Sequence, residues 1–358
     1  VEEVAFEDSA IEAAAHEVLG IPERTKLLTS DLWTISELTV PAEAASYADL
    51  RYFIHLTSLT IVSSSVEDYS FLPSLTELKT LSFTDSLVSA ELLGYIGALP
   101  QLENLTLTGC GLSNILPLAD AAKLTVLDLS DNSISDITAL ASFPNLTYAN
   151  LSRNAISSLE PLKNLTNLQE LYLAENDLTA LDALSGFRQL KILDITDNAV
   201  TSIEPLAPMR ELTELSAGGN ALTDASGLAG CISLTRLDLS NNELTNVDAV
   251  KNLTLLTHLN FSHNAVEAVP NLSGLSSLQQ FYASYNAGLD DISSLAGLEM
   301  LNYVDVDYTA VDDILCLKTC PNLVQVNAFG SKVRDVKELT DAGVIVRYDP
   351  TGTAGPEE

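Results

Sequence analysis

An asparagine recurs every 22 residues through the middle of the chain, at Asn132, Asn154, Asn176, Asn198, Asn220, Asn242, Asn264 and Asn286. Eight amides in strict register cannot arise by chance, and a fixed period of this size is the mark of stacked structural repeats. Each amide sits in one apolar frame, LxxLxLxxNxLxxLxxL. Leu168, Leu171, Leu173, Asn176, Leu178, Leu181 and Leu184 fill it, and Leu190, Leu193, Ile195, Asn198, Val200, Ile203 and Leu206 fill it again. Weaker copies extend it on both sides. Leu56, Leu59 and Ile61 precede Ser64; Leu78, Leu81 and Phe83 precede Ser86; Leu102, Leu105 and Leu107 precede Cys110. Downstream, Leu301, Val304 and Val306 precede Thr309, and Leu323, Val326 and Ala328 precede Ser331. This makes 13 repeats, with the period broken twice, at 24 residues from Ser86 to Cys110 and 23 from Asn286 to Thr309.

The frame explains why an amide interrupts a run of core positions. After a short strand the chain must turn inward, leaving backbone N–H and C=O groups without a strand partner. An amide side chain supplies two donors and an acceptor. Stacked once per repeat, these side chains are expected to satisfy the turn within and between repeats, which makes them scaffold rather than chemistry. An unpaired buried group of this kind costs roughly 1–3 kcal/mol.

The first and last rungs of such a stack each expose an apolar face, so caps are expected. Residues 8–20, DSAIEAAAHEVLG, read as a helix, with Ser9 and Glu12 as a capping box, Ile11, Ala15, Val18 and Leu19 as the apolar stripe and Gly20 as the stop. A second short helix is expected from Ser30 to Ile35, carrying the only tryptophan, Trp33. VIVRY, residues 344–348, reads as a closing strand.

The repeat frame resembles that of the leucine-rich repeat family, and its 22-residue length is similar to the bacterial, internalin-type class. The resemblance covers residues 56–339. It implies an α/β solenoid: a right-handed horseshoe with a parallel concave β-sheet, short 3-10 or irregular convex segments and a helical N-terminal cap. The string FEDSAIEAAAHEVLGIPERTKLLTSDLWTISELTV is similar to the cap that precedes the repeats in secreted internalin-like proteins. The implied layout is a cap over 1–40, the array over 41–340, and a closing strand with a polar tail over 341–358.

Charge narrows the partners. The chain carries 49 acidic against 17 basic residues, a net −32, which repels phosphate backbones and anionic lipid. No nucleic-acid partner and no membrane insertion are expected; no apolar run reaches the roughly 20 residues a spanning helix needs. A partner with a basic surface fits the acidity, as does plain solubility. Val1 stands where a Met start would, leaving room for an upstream leader, and the Pro/Gly-rich end DPTGTAGPEE resembles a linker to a following segment.

Cys231 and Cys320 occupy a column that carries Phe143, Leu165, Phe187, Met209, Leu253 and Leu275 in other repeats, so both read as core thiols. Cys110 occupies the ladder position, and only Cys316 falls on a non-core column, where a bond to Cys320 is conceivable. No metal and no cofactor are expected. Seven N-x-S/T sequons read as by-products of the repeat consensus. No phosphate loop, nucleophile elbow or HExxH motif is present, and a shallow sheet offers no cleft for converging groups, so no catalytic residue is assigned.

Within LxxLxLxxN the third, fifth and seventh positions point away from the core, because strand side chains alternate, and the eighth flanks them. Six of the eleven tyrosines lie in these columns. The candidate ligand-binding residues gather toward one end: His258, His263, Tyr282, Tyr285, Tyr303, Asp305, Tyr308 and Phe329, with Tyr148 and Tyr172 as a smaller second patch. Tyrosine combines apolar area, a polar tip and low entropy loss on binding; it also simply favours strands. The 23-residue repeat, with its extra residue near Gly288, falls in the same region, where a bulge is expected to re-aim side chains. Asp305 and Asp307, alternating on one strand, read as solvated charges rather than as a calcium site, which needs six or more oxygens.

Three functions remain open. The resemblance implies a monomeric bacterial recognition protein, secreted or at the cell surface, that binds another protein for adhesion or for contact with a host or neighbouring cell. An intracellular scaffold or phosphatase-type regulator is the first alternative, favoured by thiols suited to a reducing cytoplasm. A carbohydrate-binding module, with tyrosines stacking on sugar rings, is the second.

Overall fold

The structure, a computed structural model, describes residues 1–351; the end of the polar tail, 352–358, lies outside the described residues. The chain divides into two compact units, Val1–Leu171 and Tyr172–Glu358.

The first unit holds α1 (Ser9–Leu19), α2 (Thr29–Leu32) and α3 (Ala90–Gly97). Its strands are β1 (Glu37–Thr39), β2 (Ser58–Val62), β3 (Thr80–Thr84), β4 (Asn104–Thr108), β5 (Val126–Asp128) and β6 (Tyr148–Asn150), each pairing in parallel with the next in sequence. The boundary between the units falls within β7 (Glu170–Tyr172). The second unit holds β8 (Ile192–Asp194), β9 (Glu214–Ser216), β10 (Arg236–Asp238), β11 (His258–Asn260), β12 (Gln280–Tyr282), β13 (Tyr303–Asp305), β14 (Gln325–Ala328), α4 (Lys337–Asp341) and β15 (Ile345–Tyr348). These strands too pair in parallel, in chain order.

Most strands are three residues long because the frame offers one buried position between two outward ones. The central residue, such as Leu127, Leu193, Leu259 or Phe281, is fully buried, and its two flanks are half-exposed. The apolar positions after each ladder residue close the core from the other side. Ile134, Ile137, Leu140 and Phe143 are buried, and 3-10 turns such as Glu160–Leu162 and Glu204–Leu206 carry the chain back. Pro161 and Pro205 sit in the first turn of these segments, where a missing N–H costs nothing.

The ladder amides hold the turn. Asn132 Nδ2 donates to the carbonyls of Leu107 (2.7 Å), Leu129 (2.9 Å) and Ser130 (3.0 Å), while its Oδ1 accepts from Leu112 N (2.9 Å) and Cys110 N (3.1 Å). Asn198, Asn220, Asn242, Asn264 and Asn286 repeat the three-carbonyl pattern and each accepts one backbone N–H from the preceding repeat. Asn154 donates to Leu129, Leu151 and Ser152 carbonyls and accepts from Ile134 N. Asn176 donates to the carbonyls of Leu173 and Ala174. Only Asn176 and Asn286 are fully buried; the other six are half-buried at the rim of the core. Where the ladder residue is Thr309 or Ser331, the hydroxyl reaches only the carbonyl three residues back and the N–H two residues ahead, all within its own turn.

The two irregular repeats are resolved differently. The 24-residue one replaces a 3-10 turn with α3, capped by Ser89 Oγ accepting from Leu92 N (3.1 Å) and burying Leu92, Leu93 and Ile96. The 23-residue one does not bulge its strand, contrary to the sequence expectation. β12 and β13 keep an unbroken register, Gln280 with Tyr303 and Tyr282 with Asp305. The extra residue is taken up immediately after Asn286, in a turn closed by Leu289 N donating to Asn286 O (3.0 Å). It re-aims nothing on the outward face.

Helix α1 also departs from expectation. Its cap is Asp8, not Ser9: Asp8 Oδ1 accepts from Ala10 N (2.9 Å) and Ile11 N (3.3 Å). Its buried face is Ile11, Ala14, Ala15 and His16, whereas Val18 is 53% exposed. Gly20, at φ 66°, ends it in the left-handed conformation. The second helix is shorter than expected, Thr29–Leu32, and ends before Trp33. β1 was not anticipated from the sequence; its pattern of one buried and two exposed residues gives too weak a signal.

All four thiols are free. Cys110, Cys231 and Cys320 are buried and Cys316 is half-buried. The conceivable Cys316–Cys320 bond is not formed, and burial pushes the thiols of Cys110, Cys231 and Cys316 up to about 11.

Candidate functional site

One backbone feature, absent from the sequence reading, shapes the outward surface. The residue just before the ladder position is left-handed in every repeat. Asp131 (φ 56°), Arg153 (58°), Glu175 (52°), Asp197 (52°), Asn241 (52°), His263 (55°), Tyr285 (57°) and Tyr308 (53°) adopt it, as do Gly219 and Gly330. For a residue with a side chain this costs roughly 1–2 kcal/mol. The chain accepts that cost because only such a residue turns the strand end inward and sets the amide under the turn. Glycines at this column were the available signal: Gly109, Gly219 and Gly330 all precede a ladder residue.

The left-handed residue throws its side chain sideways, so successive copies lie over one another at the strand spacing of about 4.8 Å. That distance suits stacked rings. His263 and Tyr285 stack with centroids 4.1 Å apart, Tyr285 and Tyr308 at 4.6 Å, and Tyr308 meets the edge of Phe329 at 5.8 Å. The row can close because Gly330 has no side chain: a Cβ there would come within 2.6 Å of the Tyr308 ring. The row is presented to solvent, with Tyr285 43% and Phe329 42% exposed. Beside it, on the strands, Tyr282 and Tyr303 lie 5.1 Å apart. Asn327 Nδ2 donates to the Tyr303 hydroxyl (2.8 Å), and the Tyr282 hydroxyl donates to Gln280 Oε1 (2.9 Å).

Between these rings stand two carboxylates. Asp305 and Asp307 are half-buried rather than freely solvated, so the sequence expectation is corrected here. Asp305 Oδ1 accepts from Asp307 N (3.1 Å), a scaffold role shared by the same column elsewhere: Asp128, Asp194 and Asp238 each accept the N–H two residues on. Burial pushes the Asp305 carboxyl up, against the lowering pull of that N–H, Ser284 and His263. Asp307 Oδ1 accepts from Phe329 N (2.6 Å). Burial, reinforced by Asp305, still raises its carboxyl to about 6, with Phe329 N–H and Arg347 working the other way.

A carboxyl raised in the folded state binds more protons than the unfolded chain between pH 3.8 and about 6, so stability falls as pH rises through that window. Asp307→Asn is therefore expected to stabilise the protein at pH 7.5, by about 1 kcal/mol after discounting for solvent screening. Below about pH 3.8 the two chains are expected to be equally stable. Urea unfolding at pH 7.5 and pH 3.5 measures this; equal midpoints at pH 7.5 would reject a strained carboxylate.

His258 lies at the other side of the cluster, on β11. Its Nδ1 is 2.8 Å from Thr257 Oγ1 and 3.4 Å from Arg236 Nη1, and burial followed by Arg236 lowers its pKa while Glu214 raises it. Glu214, Arg236, His258, Asn260, Gln280 and Tyr282 line a shallow depression of about 220 Å³. The structure thus brings His258, His263, Tyr282, Tyr285, Tyr303, Asp305, Tyr308 and Phe329 onto one face of the second unit. Tyr148 belongs to the first unit, half-buried, its hydroxyl pKa raised by burial and then by Asp128 and Glu170; Tyr172 opens the second. Among the described residues, no group of three or more His, Cys, Asp or Glu side chains is placed to hold a metal ion.

Comparisons with known proteins place this geometry. A family model described as leucine-rich repeats in two copies matches residues 122–164, 144–182, 166–208 and 210–252. No curated protein sequence matches the chain. Among solved structures, an internalin of Listeria monocytogenes, InlF, is similar at 26% identity, covering 96% of this chain and 95% of that one with a TM-score of 0.80. A leucine-rich repeat protein of Leptospira interrogans is similar in fold at 18% identity, covering 88% and 85%, with a TM-score of 0.76. The functional domain of InlJ from Listeria monocytogenes, which includes a cysteine ladder, is similar in fold at 21% identity, covering 92% and 71%, with a TM-score of 0.59. With its 22-residue frame, amide-bonded turns and parallel strands, the chain has the leucine-rich repeat fold and is similar to internalins.

Proposed function

We propose that this chain is a non-enzymatic recognition protein that docks another protein on the outward face of β11–β14, and that it works secreted from, or at the surface of, a bacterium. In this reading residues 1–40 cap the array and the strands serve as a rigid display. The observation that carries the docking reading is the solvent-facing aromatic row His263–Tyr285–Tyr308–Phe329 beside the Tyr282–Tyr303 pair. Such a contiguous patch on a polar protein marks an interaction surface. The bacterial, extracellular setting rests on likeness to an internalin over nearly the whole chain.

The test is capture of surface proteins from neighbouring or host cells by the immobilised chain. Tyr282→Ala combined with Tyr303→Ala is expected to lower the affinity for a captured partner at least about tenfold, the loss typical of truncating hot-spot aromatics. The melting temperature is expected to stay unchanged, because both rings lie outside the core. Equal affinity would remove this face as the docking site.

A further inference from the structure

We propose that Asp305 and Asp307, framed by Tyr282, Tyr303, Tyr308 and Phe329, form a receptor for a cationic side chain, Lys or Arg, presented by the docking protein. The inference rests on the docking reading and adds the chemistry of the partner's central contact.

Asp307 carries the argument. It occupies the seventh position of its repeat, where other rungs have Ser130, Ser152, Ala174, Thr196, Gly218, Ser240, Ser262 and Ser284. Those small neutral residues build the same turn, so the scaffold does not require a carboxylate there. A half-buried carboxylate loses hydration, and that loss calls for a compensating positive charge. Among the described residues neither Asp305 nor Asp307 makes an ion pair; Arg347 and His263 ease the charge only from a distance. The missing partner is thus a cation from outside the chain.

The surroundings select its type. Calcium needs six or more converging oxygens, and two carboxylates with neighbouring rings do not supply them. Aromatic faces and carboxylates together suit an ammonium or guanidinium, which gains from ring quadrupoles and from charge-assisted hydrogen bonds at once. Tyr282 stands directly opposite Asp305 across the β12–β13 pair, and Tyr303 lies two residues before it on the same face. Phe329 and Tyr308 stand beside Asp307, the first through its backbone N–H and the second as its chain neighbour. A net charge of −32 draws basic partners toward the chain, and the carboxylates set among rings at this site can hold a particular side chain.

The test uses the whole chain and two blocked peptides, Gly-Arg-Gly-Arg-Gly and its counterpart with citrulline, a neutral isostere, in place of arginine. Titration followed by calorimetry or NMR is expected to show the arginine peptide bound at least about fivefold more tightly than the citrulline peptide. Asp305→Asn with Asp307→Asn is expected to bring that ratio close to one; asparagine retains the acceptors for Asp307 N and Phe329 N, so folding is expected to persist. Asp290→Asn with Asp291→Asn, which removes the same charge elsewhere, is expected to leave the ratio nearly unchanged. Equal binding of the two peptides, no binding of either, or equal effects of the two Asp pairs would each overturn the proposal. If the Tyr282/Tyr303 variant still fails to capture protein in that event, the docking reading stands and only the cation receptor falls. If capture is unaffected while the peptide ratio collapses in the Asp305/Asp307 variant, the reverse holds.

Discussion

Asn286→Ala is expected to lower the free energy of unfolding by about 2–3 kcal/mol, and Asn286→Asp by about 3–5 kcal/mol at neutral pH. Asn286 is fully buried and makes four hydrogen bonds: its amide donates to the carbonyls of Phe261 (3.1 Å), Ala283 (2.9 Å) and Ser284 (3.3 Å), and its oxygen accepts from Val266 N (2.9 Å). Alanine leaves Val266 N and the Phe261 and Ala283 carbonyls without this partner where water enters poorly, while the Ser284 carbonyl keeps the N–H of His263. Aspartate is nearly the same size, yet it replaces two donors with a charge facing three carbonyl oxygens. The smaller chemical change is therefore the more damaging one. A buried carboxylate in that setting takes up a proton as pH falls, so the Asp and Ala variants are expected to converge toward pH 4. Urea unfolding gives the free energies, and amide exchange at Val266 reports the local loss. An Asn286→Asp chain as stable as the parent at pH 7 would mean that the ladder donors are dispensable.

Asp8→Ala is expected to cost about 2–4 kcal/mol and to release the N-terminal helix from the repeats of the first unit. The cap is held by two carboxylates. Asp49 Oδ2 accepts from Glu7 N and Asp8 N, both at 2.9 Å, and fixes the segment that carries Asp8. Asp8 in turn caps α1 with one oxygen and accepts from Ala45 N (2.7 Å) and Ser46 N (3.0 Å) with the other. Burial alone raises its carboxyl, but those four N–H donors outweigh it and hold it below the ordinary value of 3.8. A lowered folded-state pKa contributes stability above pH 3.8 and loses it as pH falls through the folded value. Acid is thus expected to detach the cap, and Trp33, the one tryptophan, reports the event by its emission. An Asp8→Ala chain whose Trp33 signal and acid transition match the parent would show that the helix is held by its apolar face alone. Asp8 and Asp307 respond to acid in opposite senses, because four N–H donors outweigh burial at the first and burial outweighs a single N–H donor at the second.

The period of the amides determined more than any local propensity. It placed Leu127, Leu129, Ile134, Ile137 and Leu140 in the core, where each is at most 1% exposed, and put the strands one per repeat. It could also name the outward columns, since alternation in a strand leaves no choice of face. What it could not supply was the path of the chain between columns. A capping box read at Ser9 lost to Asp8, because the helix start answers to Asp49, 41 residues away. The extra residue near Gly288 was absorbed in a turn rather than a bulge, because parallel pairing on both sides of the strand resists displacement. Asp307 looked solvated in one dimension; in the structure it is half-buried and accepts the N–H of Phe329 from the next repeat.

The sequence by itself determined that this chain stacks identical turns, which side chains face inward, and which aromatics share the outward columns, because a strict period ties every position to one angle around the core. Only the tertiary structure decided that those aromatics touch. The left-handed residue at each strand end sets their direction, and the strand spacing sets their distance. Neither quantity is carried by any single residue; both arise when one repeat is laid on the next.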